Sequence, residues 1–254
     1  MSIRSGGRAA ARRTGCARGI SPETAVANRR SVMLATLRSE NRTSLAQQIF
    51  DETAIAIVEG RLQPGQTLNS VELAARFATS RTPVREALTE LERHGAVVVA
   101  PRHRPRVARA SLAQLKDIYD LRASLFTLVS ELIVDNCPAS RLAELWTWQA
   151  ALEEDAARGR VDDYFWHHAG FRWVESRLTD NEELQRIISA LAMRAMQVTH
   201  LSFSLPARLG QSVADHRRLL LAYEERDKVT AVAVNRLMIM TGFRALQESG
   251  LVED

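Results

Sequence analysis

Apolar positions begin to recur at steps of three and four only from Ser44 onwards. Leu45, Ile49, Thr53, Ala56 and Ile57 fall on one face, which predicts a helix that "EGRLQPGQ" ends with its glycines and proline. "SVELAARFATS" predicts a second, short helix with Ser70 as N-cap and Glu72 in its first turn. "SRTPVREALTELERHG" predicts a third. Ser80 or Thr82 caps it, Pro83 suits its first turn, Gly95 stops it, and Val84, Leu88 and Leu91 form its apolar stripe. Two β-type runs follow, "AVVVA" and "RVARA", joined by "PRHRP". Three helices with a tight second-to-third turn, then a basic hairpin, make a winged helix–turn–helix.

After Ser111 the pattern is helical throughout, in segments near 111–136, 138–158, 161–179, 181–204, 208–226 and 228–248. Pro138, Gly159, Asp180–Asn181, Pro206 and Arg226–Asp227 break them. Helices joined by such short connections form an antiparallel bundle. The fold class is therefore mainly α: a winged helix–turn–helix over 43–109, then an all-α bundle over 110–248 and a tail, 249–254. Residues 1–42 show no sustained period and few large apolar groups, so they are expected to be disordered. Met33 is a second candidate start.

Charge divides the chain along the same lines. The formal net charge of +4 is distributed as +7 over residues 1–42, +2 over 43–110 and −5 over 111–254. A basic front suits a polyanion and an acidic back does not. The two cysteines, Cys16 and Cys137, have neither CxxC nor metal-ligand spacing, which predicts a reducing, cytoplasmic setting. "GAVVVA" is too short to span a membrane, and the Arg-rich head lacks the apolar middle of a secretory signal.

Two sets of residues carry candidate chemistry. The third helix turns Arg81, Thr82, Arg85 and Thr89 away from its apolar stripe, where arginine can contact guanine bidentately and hydroxyls can reach phosphate. Arg102, His103, Arg104 and Arg106 cluster on the wing, as a backbone contact needs. In the bundle, polar residues interrupt apolar stripes on four helices: Arg122; His168 and Arg172; His216; Asn235. A buried arginine needs a partner, so four such positions point to a shared polar cavity. His168 or His216 could serve as a general base, but there is no nucleophile motif, phosphate loop or complete ligand set, so an enzyme is not expected.

The stretch from Ile57 to Val107 resembles the DNA-binding domain of the GntR family of bacterial transcription regulators, with "LQPGQ", "ELAARF" and "SRTPVREAL" as its most specific motifs. The helical remainder resembles that family's FadR-type (FCD) effector domain. The resemblance implies a homodimer that binds a palindromic operator and is modulated by a small acid in the bundle. It implies operator contacts at Ser80, Arg81, Thr82 and Arg85; Pro83 in the same turn and His103, Arg104 and Arg106 on the wing complete the expected DNA-binding set. Ala78 and Thr79 stand where glycine and an aliphatic are usual, and Arg104 where glycine is usual, which implies a stiffer, more cationic wing tip.

FCD domains often hold a divalent metal with an Asp and a His four apart on one helix and two later His. Aligned through Phe171 and Asn181, His168 takes the Asp position, Arg172 the first His position, His216 the second and Met238 the third. One ligand in four is retained, and a fixed guanidinium repels a divalent ion. The cavity residues Arg122, His168, Arg172, His216, Asn235 and Met238 are therefore expected to bind an anionic metabolite, with no cofactor. An alternative register places Asp163 and His167 four apart and, with His216, implies a metal-dependent regulator.

Overall fold

A computed structural model describes residues 44–252. The readings of 1–42, including Cys16 and Met33, and of the end of the tail lie outside the described residues. The head of the chain packs three helices: α1 (Ser44–Val58), α2 (Ser70–Arg76) and α3 (Arg81–Arg93). Ile49, Phe50, Ala54 and Ile57 from α1 meet Val84, Leu88 and Leu91 from α3 in its core. Helix α2 starts one residue away from the expected cap: Asn69, not Ser70, accepts the Val71 amide at 3.0 Å. Strands β1 (Val97–Val98) and β2 (Arg106–Val107) pair antiparallel, Val97 opposite Val107.

The bundle follows as α4 (Leu112–Asn136), α5 (Ala143–Ala157), α6 (Val161–Arg177), α7 (Glu182–Phe203), α8 (Arg208–Glu224) and α9 (Lys228–Ser249). The segment expected as one helix from Pro138 opens with a 3₁₀ turn, Ala139–Leu142, before α5. The expected breaks hold for local reasons. Gly159, Asp180, Ala207 and Arg226 all take positive φ, between 50° and 63°, which ends or redirects a helix. Ser111 and Gln114 form a capping box on α4, while Asn181 and Asp227 cap α7 and α9.

Helix α6 is the centre of this domain. Every residue from Tyr164 to Arg172 is buried. A Cβ on Gly170 would lie 2.3 Å from the Trp148 ring, so glycine lets α5 approach this closely. By length and composition α9 could cross a membrane, but it packs along α4, α7 and α8 inside the bundle. Head and bundle touch where α1 meets α7. There the Trp166 indole N–H donates to Glu59 at 3.0 Å, and the Arg194 side chain lies against Gly95.

Candidate functional site

The helix–turn–helix sorts its arginines by partner. Arg61, Arg76 and Arg93 pair with Glu59, Glu52 and Glu90, and the Arg109 Nε donates to the Pro64 carbonyl. Arg81, Arg85, Arg102, Arg104 and Arg106 are exposed and make no ion pair among the described residues. Ser80 sits at the N-cap of α3, but its side chain makes no capping bond, so its hydroxyl and that of exposed Thr82 stay available beside the first-turn amides. Pro83 is half-buried. On the wing, the His103 Nδ1 donates to the Pro101 carbonyl, 2.9 Å away. The α3 N-terminus and the wing thus present cations that the fold itself does not use.

One of the sequence departures has a backbone consequence. Ala78, in the turn between α2 and α3, adopts φ 47°, a conformation that favours glycine. On the wing it is Arg102 that adopts a left-handed conformation, with φ 63°.

A cavity, partly open to solvent, lies between α4, α6, α7, α8 and α9. Arg122, Arg172 and Arg208 line it, with His168, Tyr119 and Ser212 among their neighbours. Of the expected residues, Arg122, His168, Arg172 and Met238 reach the cavity. His216 and Asn235, both fully buried, stand behind it.

Their roles there are supporting ones. The His216 Nδ1 donates to the Ser212 carbonyl at 2.7 Å, which leaves its Nε2 as the acceptor. His168 therefore donates its Nδ1–H to that Nε2, at 3.2 Å. Burial and the neighbouring cations hold both imidazoles neutral: His168 falls well below its ordinary 6.5, and His216 is pushed down to about 3.

Arg172 is already neutralised within the fold. Its Nη1 donates to the Glu175 carboxylate at 2.9 Å and to Asn235 Oδ1 at 2.5 Å, and its Nη2 lies 3.9 Å from the Met238 sulfur. Glu175 also accepts from Tyr223 at 2.7 Å and from Asn235 at 2.6 Å. Burial and this carboxylate hold the Tyr223 hydroxyl well above its ordinary pKa. Arg122 and Arg208 differ. Arg122 reaches only Thr199 Oγ1, at 3.5 Å, and Arg208 only Gln211, at 2.9 Å, so neither has a carboxylate within ion-pair distance. Burial lowers the pKa of both guanidinium groups. The Nε groups of Arg172 and Arg208 are buried without a hydrogen-bond partner.

This donor set does not fit a metal. Three guanidinium groups share the cavity, and the His216 Nε2 is occupied by His168. The alternative register is dispersed: His167 pairs with Asp155, Asp163 lies 3.8 Å from Arg160, and His216 holds His168. No group of three ligand-type residues among the described residues is placed to hold an ion. His167 points to the α5 side of its helix, against Asp155 and Trp148, and not into the cavity.

Arg208, Glu175 and Tyr223 were not singled out from the sequence as site residues. Arg208, Ser212 and His216 lie at steps of four on α8, the signal that could have found the first. Glu175 stands three residues after Arg172, a spacing as common on solvated faces.

Residues 45–107 match the family described as bacterial regulatory proteins, gntR family, and residues 117–240 match the FCD domain. The HTH-type transcriptional regulator McbR of Escherichia coli is 28% identical over 187 residues, covering 73% of this chain and 85% of that protein. A probable D-xylose utilization operon transcriptional repressor of Paenarthrobacter nicotinovorans is 28% identical over 196 residues, covering 77% of this chain and 85% of its own. The solved structure of Escherichia coli McbR/YncC superposes with a TM-score of 0.72 at 26% identity, over 82% of this chain and 99% of that one.

Proposed function

From the premise that the chain belongs to the gntR family of bacterial regulatory proteins, with an FCD domain, and is a DNA-binding transcription regulator and not an enzyme, we propose that it binds a palindromic operator as a cytoplasmic homodimer, as a repressor tuned by a small organic acid. In this reading residues 43–109 read DNA and residues 110–248 bind the effector and form the dimer.

Ser80, Arg81, Thr82, Pro83 and Arg85 enter the major groove, and His103, Arg104 and Arg106 track the backbone. What supports this is the sorting of arginines: those at the α3 N-terminus and on the wing have no partner of their own. Arg81→Ala is expected to remove specific operator binding, at about 1–3 kcal/mol for each half-site. Footprinting, with sedimentation to confirm an intact dimer, checks this. A normal footprint would refute the assignment.

The observation that carries the effector reading is the pair of guanidinium groups, half-buried Arg122 and buried Arg208, that have no ion pair of their own among the described residues. A buried cation without a counter-charge is costly, and a bidentate carboxylate offsets that cost. Arg172 shapes the site but is the weaker anchor, because Glu175 already neutralises it. An acid that occupies the cavity raises the Tm of the wild type, and Arg122→Ala removes that rise. An equal rise in the variant would exclude the guanidinium as anchor.

A further inference from the structure

The cationic cavity does not end at the arginines. A second lobe, also partly open to solvent, continues from it, sharing Arg122, His168, Arg172 and Thr199. Its walls are of another kind: Phe126 from α4, Phe165 and Trp173 from α6, and Ile188, Ala192 and Met196 from α7. The charged end and the apolar end therefore meet at one set of shared residues.

We propose that the effector is an amphipathic acid, its carboxylate held by Arg122 and Arg208 and an aromatic or branched hydrocarbon body seated against Phe165, Trp173 and Met196. This rests on the reading that the cavity takes an anion, and adds what the rest of the ligand is. A small polar acid would satisfy the guanidinium groups but leave the aromatic walls against water. An apolar molecule without charge would fill the second lobe and leave Arg122 and Arg208 without an ion-pair partner. Only a molecule with both parts satisfies both ends. His168 adds no second cation between them, since its Nδ1–H is committed to His216.

The position of the apolar lobe bears on regulation. Its walls, α6 and α7, are the two helices that touch the DNA-reading head, through Trp166 to Glu59 and Arg194 to Gly95. A body seated between α6 and α7 thus packs against the two helices that carry both contacts.

Calorimetric titration of the full chain tests this with four probes: 3-phenylpropionate, 4-methylpentanoate, propionate and 3-phenyl-1-propanol. One of the two larger acids is expected to bind at least tenfold tighter than both propionate and the alcohol. Ala192→Phe, which narrows the lobe, is expected to weaken that acid at least tenfold and leave propionate unchanged. Ser189→Phe, on the half-exposed rim of the same lobe, does the same if Ala192→Phe proves unfolded by its Tm. Propionate binding as tightly as the larger acids, with both variants silent, overturns the amphipathic ligand but leaves the anion reading standing. The alcohol binding as tightly as its acid overturns the anion reading while the apolar lobe stands. No binding by either larger acid overturns the proposal.

Discussion

Helices α3 and α6 both carry arginines, and they use them in opposite ways. On α3 Arg81 and Arg85 stand in solvent, without an ion pair, on the face away from the core. On α6 the cation lies inside, 5% exposed, with its counter-charge three residues on and further partners on α9. An exposed charge costs the fold little and can be given over to a partner molecule. A buried charge must be answered by the protein itself. The same residue type is thus open to a partner molecule in one place, as the proposed operator contacts require, and a structural member in the other.

The sharpest way to break this comparison is to remove one answer. Glu175→Ala leaves Arg172 buried without its carboxylate and takes one partner from the Tyr223 hydroxyl, so a loss of about 3–5 kcal/mol is expected. Arg85→Ala, on the exposed face of α3, is expected to stay within about 0.5 kcal/mol. Urea denaturation of the two variants measures both. Similar losses would mean that the two helices do not differ as described.

A smaller effect separates the regions by pH. His168 and His216 have folded pKa values below the ordinary 6.5, that of His216 at about 3. The unfolded chain therefore takes up protons that the folded chain refuses. Their contribution is intact above pH 6.5 and is lost as pH falls from there towards His216's folded value, at about 1.4 kcal/mol per pH unit for each imidazole. His216→Gln is expected to flatten the slope of stability between pH 6.5 and 4.5 by about one proton. An unchanged slope would contradict the buried, neutral pair.

The smallest effect lies at the turn before α3. Ala78 holds φ 47° without glycine's freedom, so Ala78→Gly is expected to stabilise by about 0.5–1 kcal/mol. A thermal melt reads it, and a loss of stability would mean that the alanine methyl makes a contact worth more than the strain.

Legibility from sequence follows the same division. The helices and their breaks were readable because period, caps and breakers are local: Val84, Leu88 and Leu91 mark α3, and Gly159 and Asp180 mark the ends of α5 and α6. The period fails on α6, where residues 164–172 are all buried and no polar face remains. The arginines of α3 and the wing could be picked out because exposure is what an amphipathic pattern encodes. In the cavity, Arg122, His168 and Arg172 stood out as polar breaks in apolar stripes. Which of them the fold had already neutralised could not be read, because Tyr223, Asn235 and the His168–His216 bond come together only in three dimensions. Arg208 was missed because it opens its helix, where a cation is ordinarily solvated.

The proposed function joins the two regions: an acid in the cavity would govern DNA reading by the exposed arginines. Fluorescence anisotropy tests it directly, using an operator duplex that the protein selects from a random-sequence pool. 3-Phenylpropionate is expected to shift the operator Kd of the wild type at least tenfold and to leave that of Arg122→Ala unmoved. An equal shift in both proteins, or none in the wild type when calorimetry shows the cavity filled, would contradict the account.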